Sequence, residues 1–284
     1  DKLTGSAMAI LIFLYVFGIG KAALMPIHRW LPAAMVAPTP VSALLHAVAV
    51  VKAGVFTVLK VVVYIFGIDN LSRITEDNWL MYIAAFTLIS ASCIALTKDN
   101  LKARLAYSTV SQLAYIVLGA ALATSMGVIG GGMHIAMHAF GKITLFFCAG
   151  AIYVATKKKY VSQLDGIGKR MPFTMTAFFI GALSVTGLPP TGGFISKWMM
   201  LLGALDADMV LIMVVYLISS FLNACYFFPI VYRAFFKDAG PEENEAGIKE
   251  APLYCIIPPT VTAVCSILLF FKYDIFTSII KGVS

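Results

Sequence analysis

The chain has 284 residues, of which 60% are hydrophobic and 12% are charged, whereas about a quarter of the residues of a soluble domain carry a charge. So much apolar surface excludes a soluble globular fold. The net charge of +7 would suit a nucleic-acid partner, but the basic residues fall on alternate loops between apolar stretches, and we expect no nucleic-acid binding.

Eight apolar stretches follow one another along the chain, each near or above the length of about 20 residues that a membrane-spanning helix needs. Short polar segments or segments rich in Pro and Gly separate most of them. The pattern predicts an all-α, polytopic transmembrane bundle of about eight helices, two of them broken. The predicted spans are residues 3–25, 41–66, 78–97, 104–125, 127–155, 172–204, 209–236 and 253–271.

The chain begins at Asp1, and its first residues run directly into a long apolar stretch without a small-residue cleavage site. We therefore predict no signal peptide. We also expect the visible chain to be an N-terminally truncated or processed part of a longer protein.

Two of the predicted spans are interrupted by prolines, and each interruption lies beside a lysine. The first runs from Lys21 to Pro32 and contains Pro26; the second runs from Gly187 to Lys197. Proline cannot donate a backbone hydrogen bond, and freed backbone is tolerated at membrane depth only where protein or cavity water binds it. Broken helices point to ion sites in transporters, although a kink that only improves packing is the alternative.

Lys and Arg in the connecting loops gather on every second loop. By the positive-inside rule, those loops are predicted to be cytoplasmic, which places both chain ends on the outer face. The acidic segment 237–252 is predicted to be a solvated cytoplasmic loop without chemistry. The twelve basic residues are Arg29, Lys98, Lys102, Arg104, Lys157, Lys158, Lys159, Lys169, Arg170, Arg233, Lys237 and Lys249, while the other loops carry Arg73 with Asp69, Glu76, Asp77, Asp206 and Asp208.

Five lysines lie inside apolar spans, and all fourteen Asp and Glu residues lie in loops or near span ends. A lysine at the bilayer centre costs about 2.5 to 3.5 kcal/mol, and no buried carboxylate is available to pair with any of them. We therefore expect them to line a hydrated path and some of them to exchange protons near neutral pH. They are Lys21, Lys52, Lys60, Lys142 and Lys197.

Three titratable residues follow one another on a single predicted helix. His134, His138 and Lys142 are spaced at i, i+4 and i+8, with about 6 Å of rise between neighbours. This spacing favours water bridges over direct hydrogen bonds and predicts a proton relay. Packed, hydrogen-bonded histidines are the alternative, and a metal site is not predicted because the His-x-x-x-His segment lacks the Glu of a zinc hydrolase.

The span over residues 41–66 holds His46, Lys52 and Lys60. At 100° per residue, His46 and Lys60 share a face and Lys52 points elsewhere. Lys52 and His46 lie deeper and are the better relay candidates, while Lys60 lies near the outer end and can snorkel to the headgroups. His28, in the first break, is either an interfacial anchor or the mouth of a proton access path.

The cysteines predict no cofactor chemistry. All five, Cys93, Cys148, Cys225, Cys255 and Cys265, lie in or at the ends of apolar spans, with no Cys-x-x-Cys pair. They are interpreted as small core residues and not as disulfides or as ligands of a metal or iron–sulfur cluster. We expect no cofactor and no redox centre in this chain.

Five sequence segments occur together in order along the chain. They are Lys21-Ala-Ala-Leu-Met-Pro-Ile-His-Arg-Trp-Leu-Pro32, Ala37-Pro-Thr-Pro-Val-Ser-Ala-Leu-Leu-His46, Asp99-Asn-Leu-Lys-Ala-Arg-Leu-Ala-Tyr-Ser-Thr-Val-Ser-Gln112, His134-Ile-Ala-Met-His-Ala-Phe-Gly-Lys142 and Gly187-Leu-Pro-Pro-Thr-Gly-Gly-Phe-Ile-Ser-Lys197. Together they resemble the proton-conducting transporter family, which includes antiporter-like subunits of complex I, of membrane-bound hydrogenases and of Mrp Na⁺/H⁺ antiporters. The resemblance covers residues 6–236 and is closest to the D-type member of the Mrp antiporters.

The resemblance implies an inverted-repeat fold and assigns roles to individual residues. It divides the chain into the end of a first repeat (1–77), a second five-helix repeat (78–236), a loop (237–252) and a final helix with a tail (253–284). Lys21 matches the lysine of the first broken helix, Lys142 the central lysine and Lys197 the lysine that exchanges protons with the far side. His46, His134 and His138 match the hydrated axis, and the family's buried glutamate has no counterpart here.

The function that follows is proton translocation, with or without exchange against Na⁺, by one membrane subunit of a larger complex in a bacterial cell membrane. The expected partners are other membrane subunits of an antiporter or respiratory complex and the lipid bilayer. An antiporter-like subunit of an NADH-quinone oxidoreductase or membrane-bound hydrogenase is the alternative, in which case redox activity belongs to the partners. A stand-alone solute carrier and a non-transporting scaffold are further alternatives.

Overall fold

The structure, a computed structural model, describes residues 5–72, 79–238 and 247–281. For residues 5, 6, 45–47, 69, 72 and 279–281 it describes the backbone only. The predicted loop residues Arg73, Glu76 and Asp77 and the centre of the acidic loop lie outside the described residues. Within the described ranges the regular structure is helical, apart from one isolated β-bridge between Asn100 and Tyr160.

Ten longer helical segments make up the described bundle, and shorter helical turns connect them. They are α1 (Gly5–Ile19), α2 (residues 39–66), α3 (Trp79–Thr97), α4 (Leu101–Ala121), α5 (Ser125–Thr156), α6 (Pro172–Thr186), α7 (Gly192–Asp206), α8 (Val210–Phe236), α9 (Leu253–Phe271) and α10 (Asp274–Lys281). The prediction of an all-α bundle of helices is confirmed for the described residues.

Four of the described helices, α3, α5, α8 and α9, are each long and apolar enough to cross a membrane. The other predicted spans fall short of this length or apolarity for identifiable reasons. Helix α2 changes to π-helical geometry at Ser42–Ala49 and again at Val61–Phe66, α4 carries a stripe of polar residues, and α6 and α7 share one span.

Helix α5 is the centre of the bundle. It has 32 residues, which gives a length of about 48 Å, and the Thr124 side chain caps its first turn by accepting a hydrogen bond from Gly127. Helices α2, α4, α9 and the α6–α7 pair all pack on it. Side chains that point inward from α5 therefore meet four neighbouring elements.

The predicted span 172–204 is one broken membrane crossing. Gly181 of α6 contacts Leu145 toward one end of α5, and Gly130 toward the other end contacts Met200 of α7. Helices α6 and α7 thus run in one direction, antiparallel to α5, with the break at residues 187–191.

The first break starts earlier than predicted. Helix α1 ends at Ile19 because Gly20 adopts a left-handed φ of +52°, which a regular helix does not contain. The chain then passes through irregular backbone to the turns Ile27–Arg29 and Trp30–Ala33.

The basic loops gather at one end of the bundle. The amide of Leu101 donates to Lys159 O at 3.0 Å, and Arg233 forms a salt bridge with Asp165 at 2.6 Å. Asp206, at the end of α7, lies at the opposite end of the bundle. The alternation of charge along the sequence therefore corresponds to two ends of the bundle, and the assignment of the basic end to the cytoplasm stays a prediction.

Candidate functional site

The structure separates the five lysines of the apolar spans into two groups. Lys142 is fully buried, and Lys52 and Lys197 are 7% and 8% exposed. Lys21 and Lys60 are exposed, and the Lys60 ammonium lies 5.7 Å from the ring centre of Phe56. Among the described residues no Asp or Glu is buried, so acidic side chains in the described range do not compensate these buried cations.

Lys52 of α2 and His138 of α5 form a direct side-chain contact between Nζ and Nδ1. The other ring nitrogen of His138 has no hydrogen-bond partner among the described residues. The ring is stacked on that of His134, with 5.6 Å between centroids and 6° between planes. Stacked rings do not hydrogen-bond to each other, so the two histidines make no direct hydrogen bond, and bridging by water stays a prediction.

His134 lies between two groups that can each donate or accept a hydrogen bond. Its Nδ1 is 2.8 Å from Ser196 Oγ of α7, and its Nε2 is 3.0 Å from Gln112 Oε1 of α4. Hydroxyl rotation and an amide flip exchange donor for acceptor at both places. Neutral and protonated His134 can therefore both be hydrogen-bonded at this position.

Lys197 binds the end of the helix that precedes the second break. Its Nζ donates to Val185 O at 2.9 Å and Thr186 O at 3.1 Å, and it lies 3.4 Å from Ser220 Oγ of α8. It is also 4.3 Å from the ring centre of Tyr115. The last carbonyls of a helix have no partner within the helix and carry partial negative charge, so the ammonium caps α6.

Two glycines make this arrangement possible. Gly187 has a φ of +86°, and a Cβ there would lie 2.6 Å from Lys197 Cδ. A Cβ on Gly193 would lie 1.9 Å from Ser184 O, so a side chain at Gly193 would separate α6 from α7. The close approach of the two half-helices brings the Lys197 amine within reach of the freed carbonyls.

Lys142 lies near the midpoint of α5 and turns away from the histidines. Its Nζ donates to Leu105 O of α4 at 3.1 Å and lies 5.3 Å from the ring centre of Phe227 of α8. The stripe predicted on α5 therefore contacts α2 at His138 and the α4–α8 pair at Lys142.

Sequence reasoning missed a set of hydroxyl and amide groups between α4 and α8. Tyr115 OH is 3.1 Å from Ser220 Oγ, Tyr226 OH donates to Ser108 Oγ at 2.8 Å, and Asn223 contacts Tyr226. A usable signal was present: polar residues recur at helical spacing on both helices. On α4 they are Ser108, Ser111, Gln112 and Tyr115, and on α8 they are Tyr216, Ser219, Ser220, Asn223 and Tyr226.

Three other predicted site residues lie apart from this network or outside the described side chains. Lys21 is exposed beside the first break, and the His28 ring is 6.2 Å from that of Tyr107 at the basic end of the bundle. The side chain of His46 is not among those described. The assumption of 100° per residue between His46 and Lys60 was wrong, because residues 42–49 are π-helical and turn by a smaller angle per residue.

A protein family described as "NADH:quinone oxidoreductase/Mrp antiporter, TM" matches residues 2–223. The chain belongs to this family. All five sequence segments that carried the resemblance lie inside the matched range, and the prediction of the antiporter-like family is confirmed.

Curated relatives of this antiporter-like chain are subunits of larger complexes. It is 38% identical over 238 residues to NADH-quinone oxidoreductase subunit N of Desulforudis audaxviator, covering 83% of this chain and 47% of the relative. NADH-quinone oxidoreductase subunit L of Campylobacter jejuni is 35% identical over 93% of this chain and 43% of its own length. This chain therefore spans less than half the length of either relative.

Solved structures show the same fold. A chain of the Mrp complex from Dietzia sp. DQ12-45-1b superposes with a TM-score of 0.84 at 23% identity, covering 96% of this chain and 58% of the other. A chain of the membrane-bound sulfane sulfur reductase, an archaeal respiratory membrane complex, gives 0.85 at 25% identity, covering 99% and 56%. The chain is therefore an integral membrane protein of the antiporter-like fold.

Proposed function

We propose that this chain carries protons through the membrane along a buried line of lysines, histidines and hydroxyl groups, as one subunit of a multi-subunit complex. The observation that carries the proposal is the network from Lys52 through His138 and His134 to the Ser196 and Gln112 side chains. Buried cations are costly, and no acid among the described residues compensates these, so a role in proton exchange would account for keeping them.

Lys197 is suited to release and regain a proton. A charged ammonium has three donors and a neutral amine has two. Because two carbonyls accept hydrogen bonds from Lys197, the neutral amine can keep both of them while the third proton leaves toward Ser220. Deprotonation therefore need not disrupt the cap of α6.

Lys52 and His138 form the second exchange point. One proton can reside on either nitrogen of this contact, since both groups titrate and neither is paired with a described acid. Transfer onward to His134 requires a bridging group, because the two rings stack without bonding. Lys21, His46 and Lys142 are proposed members of the same axis, and His28 a proposed access point.

The complex is proposed to be an Mrp-type antiporter, in which this chain corresponds to the D-type member and the coupling ion is Na⁺. A second candidate is a redox-driven complex. The curated relatives favour it, since they include quinone oxidoreductase subunits and the F420H2 dehydrogenase subunit L of Methanosarcina mazei, which is 33% identical over 91% of this chain. In both candidates the chain has no redox role of its own and is proposed to reside in a bacterial cell membrane.

The two candidates differ in what drives proton movement. In inverted vesicles that contain the intact complex, an Mrp-type antiporter moves protons in response to added Na⁺. A redox-driven complex moves them only while an electron donor is oxidised. The chain can also be reconstituted alone in liposomes, without added Na⁺ and without an electron donor. Proton flux under these conditions would instead support a stand-alone carrier.

Helix α2 offers a matched pair of variants that tests the axis itself. We expect Lys52→Met to lower proton flux at least tenfold in vesicles that contain the assembled complex, because it removes the partner of His138. Lys60→Met, on the same helix but exposed, should keep flux near that of the unmodified protein. If Lys52→Met keeps proton flux as high as Lys60→Met does, at equal assembly, Lys52 is not part of the path and a scaffold role is favoured.

A further inference from the structure

A cavity of about 800 Å³ opens at the end of the bundle where the basic loops gather. It lies between the first residues of α2, the start of α4, the end of α5 and the start of α9. None of the buried relay residues lines it, so it is separate from the proton axis.

The described walls of this cavity are basic. Lys102, Lys158 and Lys159 line it, and no Asp or Glu is among the lining residues in the part of the chain that the structure describes. The Lys102 ammonium donates to Ala37 O, also in the lining, at 2.6 Å, which fixes this cation at the cavity wall. An occupant of this space therefore meets the positive charges of Lys102 and Lys159 and, among the described lining residues, no carboxylate.

Part of the wall is apolar. Phe147 and Val154 belong to it, and Val154 is 45% exposed. Tyr153 and Tyr254 also line the cavity and are 37% and 88% exposed. Tyrosines and lysines beside an apolar helical surface are typical of the level of the lipid headgroups.

We propose that this cavity binds the headgroup and glycerol region of an anionic phospholipid. The phosphate is bound by Lys102 and Lys159, and the acyl chains follow Phe147 and Val154 toward the bilayer core. Basic pockets between transmembrane helices at the cytoplasmic surface recognise such headgroups, and the volume suits a headgroup but not a whole lipid. The basic side chains, with no acid among the described lining residues, favour an anionic lipid over a zwitterionic one.

The full-length protein in its complex, reconstituted in nanodiscs of phosphatidylcholine with increasing phosphatidylglycerol, provides the test. Retained lipids are counted by native mass spectrometry after release from the nanodisc. Each basic residue near the membrane surface contributes about a fivefold factor to the binding of an anionic lipid. We therefore expect Lys159→Gln to weaken phosphatidylglycerol retention about fivefold. The double variant Lys102→Gln/Lys159→Gln should weaken it further. Retention of phosphatidylcholine should not change.

Lys157→Gln is the matched control. Lys157 and Lys159 both lie over the Tyr153 ring, at 5.3 and 5.1 Å, but Lys157 does not line the cavity. The two variants make the same change in charge, so a general electrostatic effect would weaken retention equally in both. Lys159→Gln also leaves the Lys102 bond to Ala37 intact, which keeps the test valid if the double variant is unstable.

Three results would overturn the proposal. The first is equal phosphatidylglycerol retention in Lys159→Gln and Lys157→Gln. The second is displacement of the lipid by millimolar inorganic phosphate, which would make the cavity a site for free anions. The third is that phosphatidylglycerol is not retained by the intact complex, as expected if a neighbouring subunit fills the cavity.

Discussion

The two helix breaks look alike in the sequence but are held together in different ways. At the first, the amide of Met25 donates to Thr87 Oγ1 at 3.1 Å and the Trp30 indole donates to Gly20 O at 3.2 Å. The nearby lysine, Lys21, is exposed. At the second, Lys197 itself binds the freed carbonyls.

This difference shows that a lysine beside a proline break can have one role or two. At the first break the uncharged Thr87 and Trp30 side chains bind the backbone, so Lys21 has no part in holding the break together. At the second break Lys197 holds the break together and, in our proposal, also carries a proton. Variants of the two lysines should therefore differ in their effect on stability as well as on flux.

The largest effect is expected where the second break is tightest. Gly193→Ala would place a Cβ 1.9 Å from Ser184 O, which forces α6 and α7 apart. We expect a loss of about 3 kcal/mol or more, seen as a lower melting temperature and a low yield of monodisperse protein by size-exclusion chromatography. Gly18→Ala is the control, since nothing lies within 4 Å of its added Cβ.

Replacing each lysine by methionine separates the two breaks. Lys197→Met leaves Val185 O and Thr186 O without their donor and should lower the free energy of unfolding by about 1 to 3 kcal/mol. Lys21→Met should change it by less than about 0.5 kcal/mol, because that side chain is exposed. Thermal melts of both variants in the same detergent give the comparison, and equal losses would show that the breaks are held alike.

A smaller effect than that of Lys197→Met concerns the basic end of the bundle, away from both breaks. Hydrogen bonds from Arg233 lower the pKa of Asp165 below its ordinary value. A lowered pKa in the folded state stabilises the protein above the ordinary pKa, and this contribution is lost as pH falls through the lowered value. Asp165→Asn should therefore cost about 0.5 to 1 kcal/mol at neutral pH.

The pH dependence of that variant is its check. The difference in melting temperature between Asp165→Asn and the unmodified protein should shrink as pH falls below about 4, since both then lack the charge. A difference that stays constant down to pH 3 would mean that the ion pair with Arg233 does not cause it.

Much of the fold could be predicted because membrane helices are recognisable by their length and apolarity. The second break and the burial of Lys142 and Lys197 were also predictable, since prolines and intramembrane charges stand out in an apolar span. The contact of Lys52 with His138 was not, because it joins residues 86 apart in sequence. The π-helical segments of α2 were missed because backbone hydrogen-bond register leaves little trace in residue type.

The role of Lys197 as a helix cap was also beyond sequence reasoning. It depends on the closeness of α6 and α7 at Gly193, and the spacing of residues in one chain does not reveal how near two half-helices lie. The polar stripes of α4 and α8 were visible in the sequence, but each is half of a contact whose other half is far away in the chain.

Proton flux through Lys197→Arg tests most directly whether Lys197 carries a proton. Arginine can still donate to Val185 O and Thr186 O, so the cap of α6 is kept, but it does not release its proton at usable pH. We predict that the variant assembles and melts close to the unmodified protein, while proton flux in vesicles, normalised to assembled complex, falls nearly as far as in Lys197→Ala. Flux near that of the unmodified protein would show that Lys197 serves only as a fixed charge and a cap.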